Sequence, residues 1–199
     1  MSQIVMNDMK LDAIRELVNI SSGNAATALA QMTSKKVDLD VPSVRYMDIM
    51  RIPDMIGGLE ELMTCVAVIT KGDINGFLVF IIDNESYLKL ADVVSGGMDI
   101  SPESVVAEVV NIINGSYLAA LGEMLDFTID VSPPETITSM MGSILSTFVS
   151  QLSMTTEDGI LISSNLFVGD TRFKGYQLFL MEEDSLKMLL AKLKEKYNV

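Results

Sequence analysis

Residues 12–42 read DAIRELVNISSGNAATALAQMTSKKVDLDVP, and residues 104–134 read SVVAEVVNIINGSYLAALGEMLDFTIDVSPP. When the two stretches are aligned at an offset of 92 without a gap, ten of the 31 pairs are identical. Two copies are too few for a solenoid or a propeller, so the repeat indicates one pseudo-symmetric domain. We therefore predict a single domain over residues 1–199, made of two repeats at about 1–98 and 99–199, whose halves share a core.

A second match lies further along each repeat. Residues 75–90, NGFLVFIIDNESYLKL, resemble residues 174–189, KGYQLFLMEEDSLKML, at an offset of 99. The second repeat therefore carries seven extra residues between its two matched stretches.

Hydrophobic periodicity divides both repeats into similar elements. Apolar residues at helical spacing predict a long amphipathic helix over about Met9–Met32, and its copy starts after Ser101-Pro102 and runs to about Met124. The other predicted elements are short strands at Lys36–Val41 and Thr128–Val131, each closed by proline, strand pairs Met63–Thr70 with Gly76–Ile82 and Gly159–Val168 with Gly175–Met181, and helices Glu85–Val94, Ile137–Leu152 and Asp184–Tyr197. We expect an α/β fold of the α+β type, with about six mostly antiparallel strands and the long helices packed on the sheet.

One glycine interrupts each long helix at the same place, Gly23 in the first repeat and Gly115 in the second. A glycine inside a helix costs about 1 kcal/mol relative to alanine. We expect both glycines to permit a close approach of the two helices across the pseudo-twofold.

The ionisable residues exclude several classes of function. The chain has 14 Lys and Arg, 27 Asp and Glu and no His, for a formal net charge of -13. A nucleic-acid binder needs cations to displace the counterions of phosphate, so we expect no nucleic-acid partner. Without His, catalytic triads, imidazole bases and nearly all zinc enzymes are excluded.

The remaining composition indicates a cytoplasmic protein. The single cysteine, Cys65, excludes an internal disulfide and fits a reducing compartment. The first residues lack the basic region and apolar run of a signal peptide, and apolar stretches such as Phe77–Ile82 are far shorter than the roughly 20 residues of a membrane helix. We therefore expect no insertion into a membrane.

Two side chains recur in both repeats that a core does not require. Glu16 and Asn19, like Glu108 and Asn111, are three residues apart on a predicted helix and so share one side of it. Asparagine is a poor residue for a helix interior, roughly 0.7 kcal/mol worse than alanine. Its presence in both copies favours a function, although a solvated Glu and Asn that recur through shared descent remain an alternative.

These residues belong to a longer pattern that occurs twice with the same spacing. It reads Asp12-x3-Glu16-x2-Asn19-x22-Pro42 in the first repeat and Ser104-x3-Glu108-x2-Asn111-x22-Pro134 in the second. Both copies resemble the [Asp/Ser]-x3-Glu-x2-Asn-x22-Pro signature of the CheC-type chemotaxis phosphatases, the CheC/CheX/FliY family. Two motifs in one chain correspond to the CheC form, since the CheX type carries one motif and pairs two chains.

The resemblance implies hydrolysis of the aspartyl phosphate on the phosphorylated response regulator CheY. The catalytic residues would be Glu16, Asn19, Glu108 and Asn111: the asparagine amides would position the attacking water, and the glutamates would anchor the regulator. No cofactor of the chain's own is implied, because Mg²⁺ is expected on the regulator. No Lys or Arg lies between Lys89 and Arg172, so a phosphate bound near the second motif must bring its own positive charge.

The resemblance leaves supporting roles and partners as expectations. Asp12 and Ser104 are expected at a helix start or on the surface, and Pro42 and Pro134 are expected to end a strand. The receptor deamidase CheD is an expected second partner, and the chain is expected to be monomeric with internal pseudo-symmetry. The alternative function is a non-catalytic scaffold like the middle domain of the flagellar switch protein FliM, which shares the fold but lacks the Glu/Asn pairs.

Overall fold

The computed structural model describes residues 6–151 and 158–197. Within these ranges the chain forms six α-helices: α1 (Asp8–Thr33), α2 (Ile52–Ile56), α3 (Asn84–Ser95), α4 (Pro102–Leu125), α5 (Met141–Gln151) and α6 (Glu183–Tyr197). The two long helices begin at good caps, since the side chains of Asn7 and Ser101 accept hydrogen bonds from backbone N–H groups of the first turn. Both also end at a residue in the left-handed conformation, Ser34 after α1 and Asp126 after α4.

Seven strands in the described residues form one sheet: β1 (Val37–Asp48), β2 (Leu62–Gly72), β3 (Gly76–Asp83), β4 (Ile129–Val131), β5 (Glu135–Met140), β6 (Asp158–Val168) and β7 (Thr171–Met181). Their order is β1-β6-β7-β3-β2-β4, with β5 also paired to β2. Every pairing is antiparallel. The expected α+β class with a mostly antiparallel sheet is thus confirmed, with seven strands in place of about six.

The strand order has an internal symmetry. If β1 corresponds to β4 and β5, β2 to β6, and β3 to β7, the order reads the same from either end of the sheet. The two hairpins meet where β3 pairs with β7, and β1 of the first repeat closes against β6 of the second. The halves therefore share one sheet, while the repeat boundary near residue 98 stays a prediction.

The sheet separates two apolar cores, and β3 contributes to both. Leu78, Phe80 and Ile82 join the core under α1, α3, α4 and α6, whereas Phe77 and Val79 join the core under α5. Alternate residues of a strand point to opposite faces, so this nearly continuous apolar run fits a central strand covered on both sides. The long helices α1 and α4 lie side by side on the first of these faces.

Two predicted boundaries are wrong. The helix expected over Ile137–Leu152 begins only at Met141, because residues 135–140 pair with β2 as β5; Leu152 lies outside the described residues. The strand expected to close at Pro42 runs on to Asp48, with a register shift between Asp40 and Ser43. Proline is tolerated there because β1 is an edge strand and the shift removes a ladder position.

Helix α4 is the one helix in the described part of the chain that is long and apolar enough to cross a membrane by length and composition. It packs against α1, α3 and α6. Its apolar residues, among them Val106, Val110 and Ile113, lie in the shared core. The composition of α4 is therefore that of a core helix packed on several sides.

Candidate functional site

Helix α1 presents the first Glu/Asn pair to solvent. Leu17 and Val18 are buried in the core, which fixes the rotation of the helix. Glu16 and Asn19, on the opposite side, are both exposed. The carboxylate and the amide are accessible to a partner.

Helix α4 repeats this arrangement in the second half of the chain. Val109 and Val110 are buried, and Glu108 and Asn111 are exposed. In both helices the apolar side packs on the core and the Glu/Asn pair lies on the exposed side. Two adjacent helices therefore each expose one carboxylate and one amide.

A buried hydrogen bond links the two motif helices. The hydroxyls of Ser22 on α1 and Tyr117 on α4 lie 3.1 Å apart, and Ser22 also donates to the Val18 carbonyl at 2.8 Å. Burial raises the pKa of Tyr117 to about 12, and the bond to Ser22 opposes this shift. The link holds the helices in one relative position one turn beyond Asn19.

A buried amide pair occupies the equivalent place in the second repeat. Asn114, which is aligned with Ser22, accepts a hydrogen bond from the Nε2 of Gln177 on β7. The Nδ2 of Asn114 and the Oε1 of Gln177 have no partner in the described residues. The residue pattern gave no signal for this pair, because Gln177 is aligned with the apolar Leu78.

The supporting motif positions make local contacts. Asp12 forms an exposed ion pair with Arg15 at 2.7 Å, and lies past the first turn of α1. Ser104 accepts a hydrogen bond from Ser101 at 2.8 Å and lies in the first turn of α4. Asp12 therefore lies on the surface, and Ser104 lies at the start of its helix.

The two prolines of the motif have different surroundings. Pro42 lies exposed inside β1 at its register shift, whereas Pro134 lies in the short connection between β4 and β5. The expectation that the proline ends a strand thus fits the second repeat and is wrong for the first.

The expected role of the two helix glycines is also wrong. A Cβ placed on Gly23 or on Gly115 meets no other atom within 4 Å, and both residues are exposed. The helices α1 and α4 do pack together, but through their buried sides, where Ser22 meets Tyr117. Neither glycine is needed for that contact.

The surroundings of the two Glu/Asn pairs differ in charge. Burial raises the pKa of Tyr197 at the end of α6, and the negative charge of Glu16 adds a smaller rise. Arg15, Arg45 and Arg51 line a groove between α1 and β1. The residue aligned with Arg15 is Ala107, and residues 90–171 contain no Lys or Arg. The stretch of chain that carries the first motif therefore contains cations, whereas the stretch that carries the second contains none.

Within residues 6–151 and 158–197, no group of three or more Cys, Asp or Glu side chains is arranged to hold a metal ion. The chemistry available at each pair is that of one carboxylate and one neutral amide. An amide can donate and accept hydrogen bonds without titrating, so it can orient a water molecule. A carboxylate can accept a charge-assisted hydrogen bond from a cation of a partner.

Comparison with known proteins gives consistent relatives. The CheC-like family matches residues 9–46 and 102–137, the two stretches that contain the motifs. The chain is 27% identical to the CheY-P phosphatase CheC of Bacillus subtilis, over 94% of this chain and 95% of that protein. It is 28% identical to the flagellar motor switch phosphatase FliY of the same organism, over 65% of this chain and 35% of that protein.

Solved structures share the fold. The crystal structure of Thermotoga maritima FliY superposes with a TM-score of 0.76 at 23% identity, covering 97% of this chain and 100% of that one. The FliM middle domain of H. pylori gives 0.67 at 10% identity, over 94% of this chain and 99% of that one. The Borrelia burgdorferi CheX–CheY–BeF3–Mg²⁺ complex gives 0.51 at 17% identity, over 87% and 99%.

Proposed function

The chain is a relative of the CheC-like family that carries both copies of the motif, and on that premise we propose that it hydrolyses the aspartyl phosphate of a phosphorylated CheY-type response regulator in chemotaxis. The observation that carries the proposal is the exposure of the same Glu/Asn pair on both motif helices. Relatives named as CheY-P phosphatases support the substrate class.

In the proposed reaction, water attacks the phosphorus of the regulator's aspartyl phosphate. The bond between phosphorus and the carboxylate oxygen breaks, and inorganic phosphate and the free aspartate are the products. An acyl phosphate is already activated, so positioning one water in line supplies much of the acceleration that a helper protein can add. We assign this positioning to Asn19 and Asn111, whose amides accept from and donate to the water.

The glutamates are assigned to docking. Glu16 and Glu108 lie one helical turn before the asparagines and would accept a charge-assisted hydrogen bond from a lysine of the regulator. The regulator also brings the Mg²⁺ that neutralises the phosphoryl charge. This division of labour fits a chain that has no His and that has no Lys or Arg in residues 90–171, the stretch that carries the second motif. In the CheX–CheY complex, a relative of this fold is bound to a regulator with BeF3 and Mg²⁺.

The test is release of phosphate from a phosphorylated regulator by the Asn19→Ala/Asn111→Ala variant. Both side chains are exposed, so we expect an unchanged circular dichroism spectrum, with loss of the stimulated release. The melting temperature should be equal to or above that of wild type, because alanine is the better helix former. Asn24→Ala is the matched control, because Asn24 is an exposed asparagine of the same helix outside the motif, and it should release phosphate like wild type. A double variant that still stimulates release would contradict the assignment.

A non-catalytic scaffold is the second candidate function, and it is favoured by the likeness to the FliM middle domain at 10% identity. The two candidates differ in one result. A scaffold binds its partner and leaves the lifetime of the aspartyl phosphate unchanged, whereas the phosphatase shortens it.

We also propose that the protein acts in the cytoplasm as a monomer and binds the deamidase CheD. The proposal rests on the resemblance of the doubled motif. Co-elution of the purified chain with CheD in size-exclusion chromatography supports it, and separate elution at micromolar concentrations contradicts it.

A further inference from the structure

We propose that Gly23 and Gly115 are positioning residues: the missing side chain lets the regulator dock closely on each motif helix, beside the Glu/Asn pair. The inference rests on the proposed phosphatase function and adds a specific pair of residues to its binding step. It also gives a reason for the glycine that recurs in both repeats.

The glycine lies on the same side of the helix as the motif residues. Gly23 follows Glu16 by seven residues, which brings it to within about 20° of the glutamate around the helix axis. It follows Asn19 by four residues, one turn or roughly 6 Å along the axis. Gly115 has the same spacing from Glu108 and Asn111. Each glycine therefore continues the exposed face that the partner must cover.

The fold itself does not require glycine at either position. Neither residue has a positive φ, and a Cβ on either would meet no other atom within 4 Å. Alanine would also be the better helix former at both sites. In the described part of the chain, the space next to both glycines is open to solvent. A requirement for glycine at these positions would therefore come from a bound partner.

Other glycines show what a structural requirement looks like in this molecule. A Cβ on Gly76 would lie 2.0 Å from the Leu180 carbonyl oxygen, and one on Gly72 would lie 2.4 Å from that of Thr128. Both of these residues also have positive φ. Even the helical Gly122 has a backbone oxygen 3.1 Å from its Cβ position. Gly23 and Gly115 differ from all three.

The residue beside each glycine supports a close contact of this face. Ile20 lies between Asn19 and Gly23 and is 42% exposed, and Ile112 is half-buried in the second repeat. In each repeat the isoleucine and the glycine together form a small apolar surface next to the carboxylate and the amide. Such a surface suits the segment that carries the phosphorylated aspartate, since an apolar contact beside the amide also excludes stray water.

The test compares Gly23→Ala/Gly115→Ala with wild type in steady-state dephosphorylation of the regulator. We expect the melting temperature to rise, because alanine favours the helix and fits the free protein. We expect KM for the phosphorylated regulator to rise by roughly tenfold, the effect of one misfitting methyl at a packed interface, with kcat near that of wild type. The leucine variants should raise KM further, because the added volume is larger.

The matched control is Gln31→Ala/Glu123→Ala. These residues occupy equivalent exposed positions two turns beyond the glycines, and their truncation should change neither KM nor kcat. Binding to a regulator that carries beryllofluoride in place of the phosphoryl group should weaken in the glycine variants and stay unchanged in this control.

The outcomes separate the two proposals. If wild type shortens the lifetime of the phosphate and the alanine variant has a wild-type KM, the positioning role is overturned and the phosphatase stands. An equal loss with alanine and with leucine would assign the glycines to helix flexibility and overturn the steric role. If wild type has no effect on the phosphate, both proposals fail.

Discussion

At the scale of single residues, each Glu/Asn pair combines a charged side chain, assigned to docking, with a neutral one, assigned to the chemical step. The carboxylates are exposed on helices whose surroundings differ, with Arg15 next to Glu16 in the first repeat and Ala107 next to Glu108 in the second. A charge-assisted hydrogen bond to a partner weakens when salt screens the attraction. The amides carry no charge, so the step that they assist has no such dependence.

We therefore predict that Glu16→Gln/Glu108→Gln raises KM for the phosphorylated regulator and flattens its salt dependence, while kcat changes little. Each exposed charge pair is worth up to ~1 kcal/mol, so KM should rise by about fivefold for each site. KM measured between low and moderate ionic strength checks this. An unchanged KM with a lowered kcat would place the glutamates in the chemical step instead.

At the scale of elements, the helices α1 and α4 are held by few polar contacts and a large apolar area. Among the side-chain hydrogen bonds of the described residues, the one between Ser22 and Tyr117 joins these two helices. Since the Tyr117 ring is buried, its packing persists when only the hydroxyl is removed. The bond therefore adjusts stability without creating either site.

Tyr117→Phe should lower the free energy of unfolding by about 1 kcal/mol, the net value of one buried hydrogen bond. The activity per folded molecule should stay near that of wild type, because the buried ring of Tyr117 keeps its packing and both Glu/Asn pairs are exposed. Urea denaturation gives the first quantity and phosphate release the second. A stable variant with little activity would mean that this link positions the sites.

The elements also show how far the sequence determines this fold. Periodicity and caps predicted α1 and α4 to within two residues at each end, because their apolar faces and boundary residues agree. The periodicity gave the wrong element at residues 137–140, because this apolar and hydroxylated stretch suits either a helix or a strand. Pairing with β2 makes it a strand. The prediction also failed at Pro42, since a bulged edge strand tolerates proline.

The site was predictable in part for a similar reason. The motif gives the spacing of Glu16 and Asn19, and helix geometry then puts them on one side. The open space at Gly23 depends on how the helices are rotated against the sheet, which no local pattern specifies. The buried pair of Asn114 and Gln177 depends on a contact between distant elements.

At the scale of the whole molecule, alkaline pH should destabilise the fold through buried acids. Burial raises the pKa of the Cys65 thiol from 9.0 to about 12, and that of Tyr117 from 10.0 to about 12. A group whose folded pKa is raised contributes stability below its unfolded pKa and loses that contribution as the pH rises through the folded value. The free energy of unfolding should therefore fall from about pH 9 upward.

Urea denaturation between pH 8 and about pH 11 measures this loss. Cys65→Val, a substitution of similar volume, removes one of the two groups and should reduce the slope of the decline. An identical slope in wild type and in the variant would mean that the thiol does not contribute.

Each repeat is proposed to carry one independent site for the same hydrolysis. Decay of the aspartyl phosphate on a CheY-type regulator tests it most directly, measured with wild type, Asn19→Ala, Asn111→Ala and the double variant. We predict that each single variant retains part of the stimulated rate, that the two parts add up to the wild-type rate, and that the double variant leaves the regulator to decay alone. Wild-type decay equal to that of the regulator alone would overturn the phosphatase function, and a double variant as fast as wild type would overturn the role of the two asparagines.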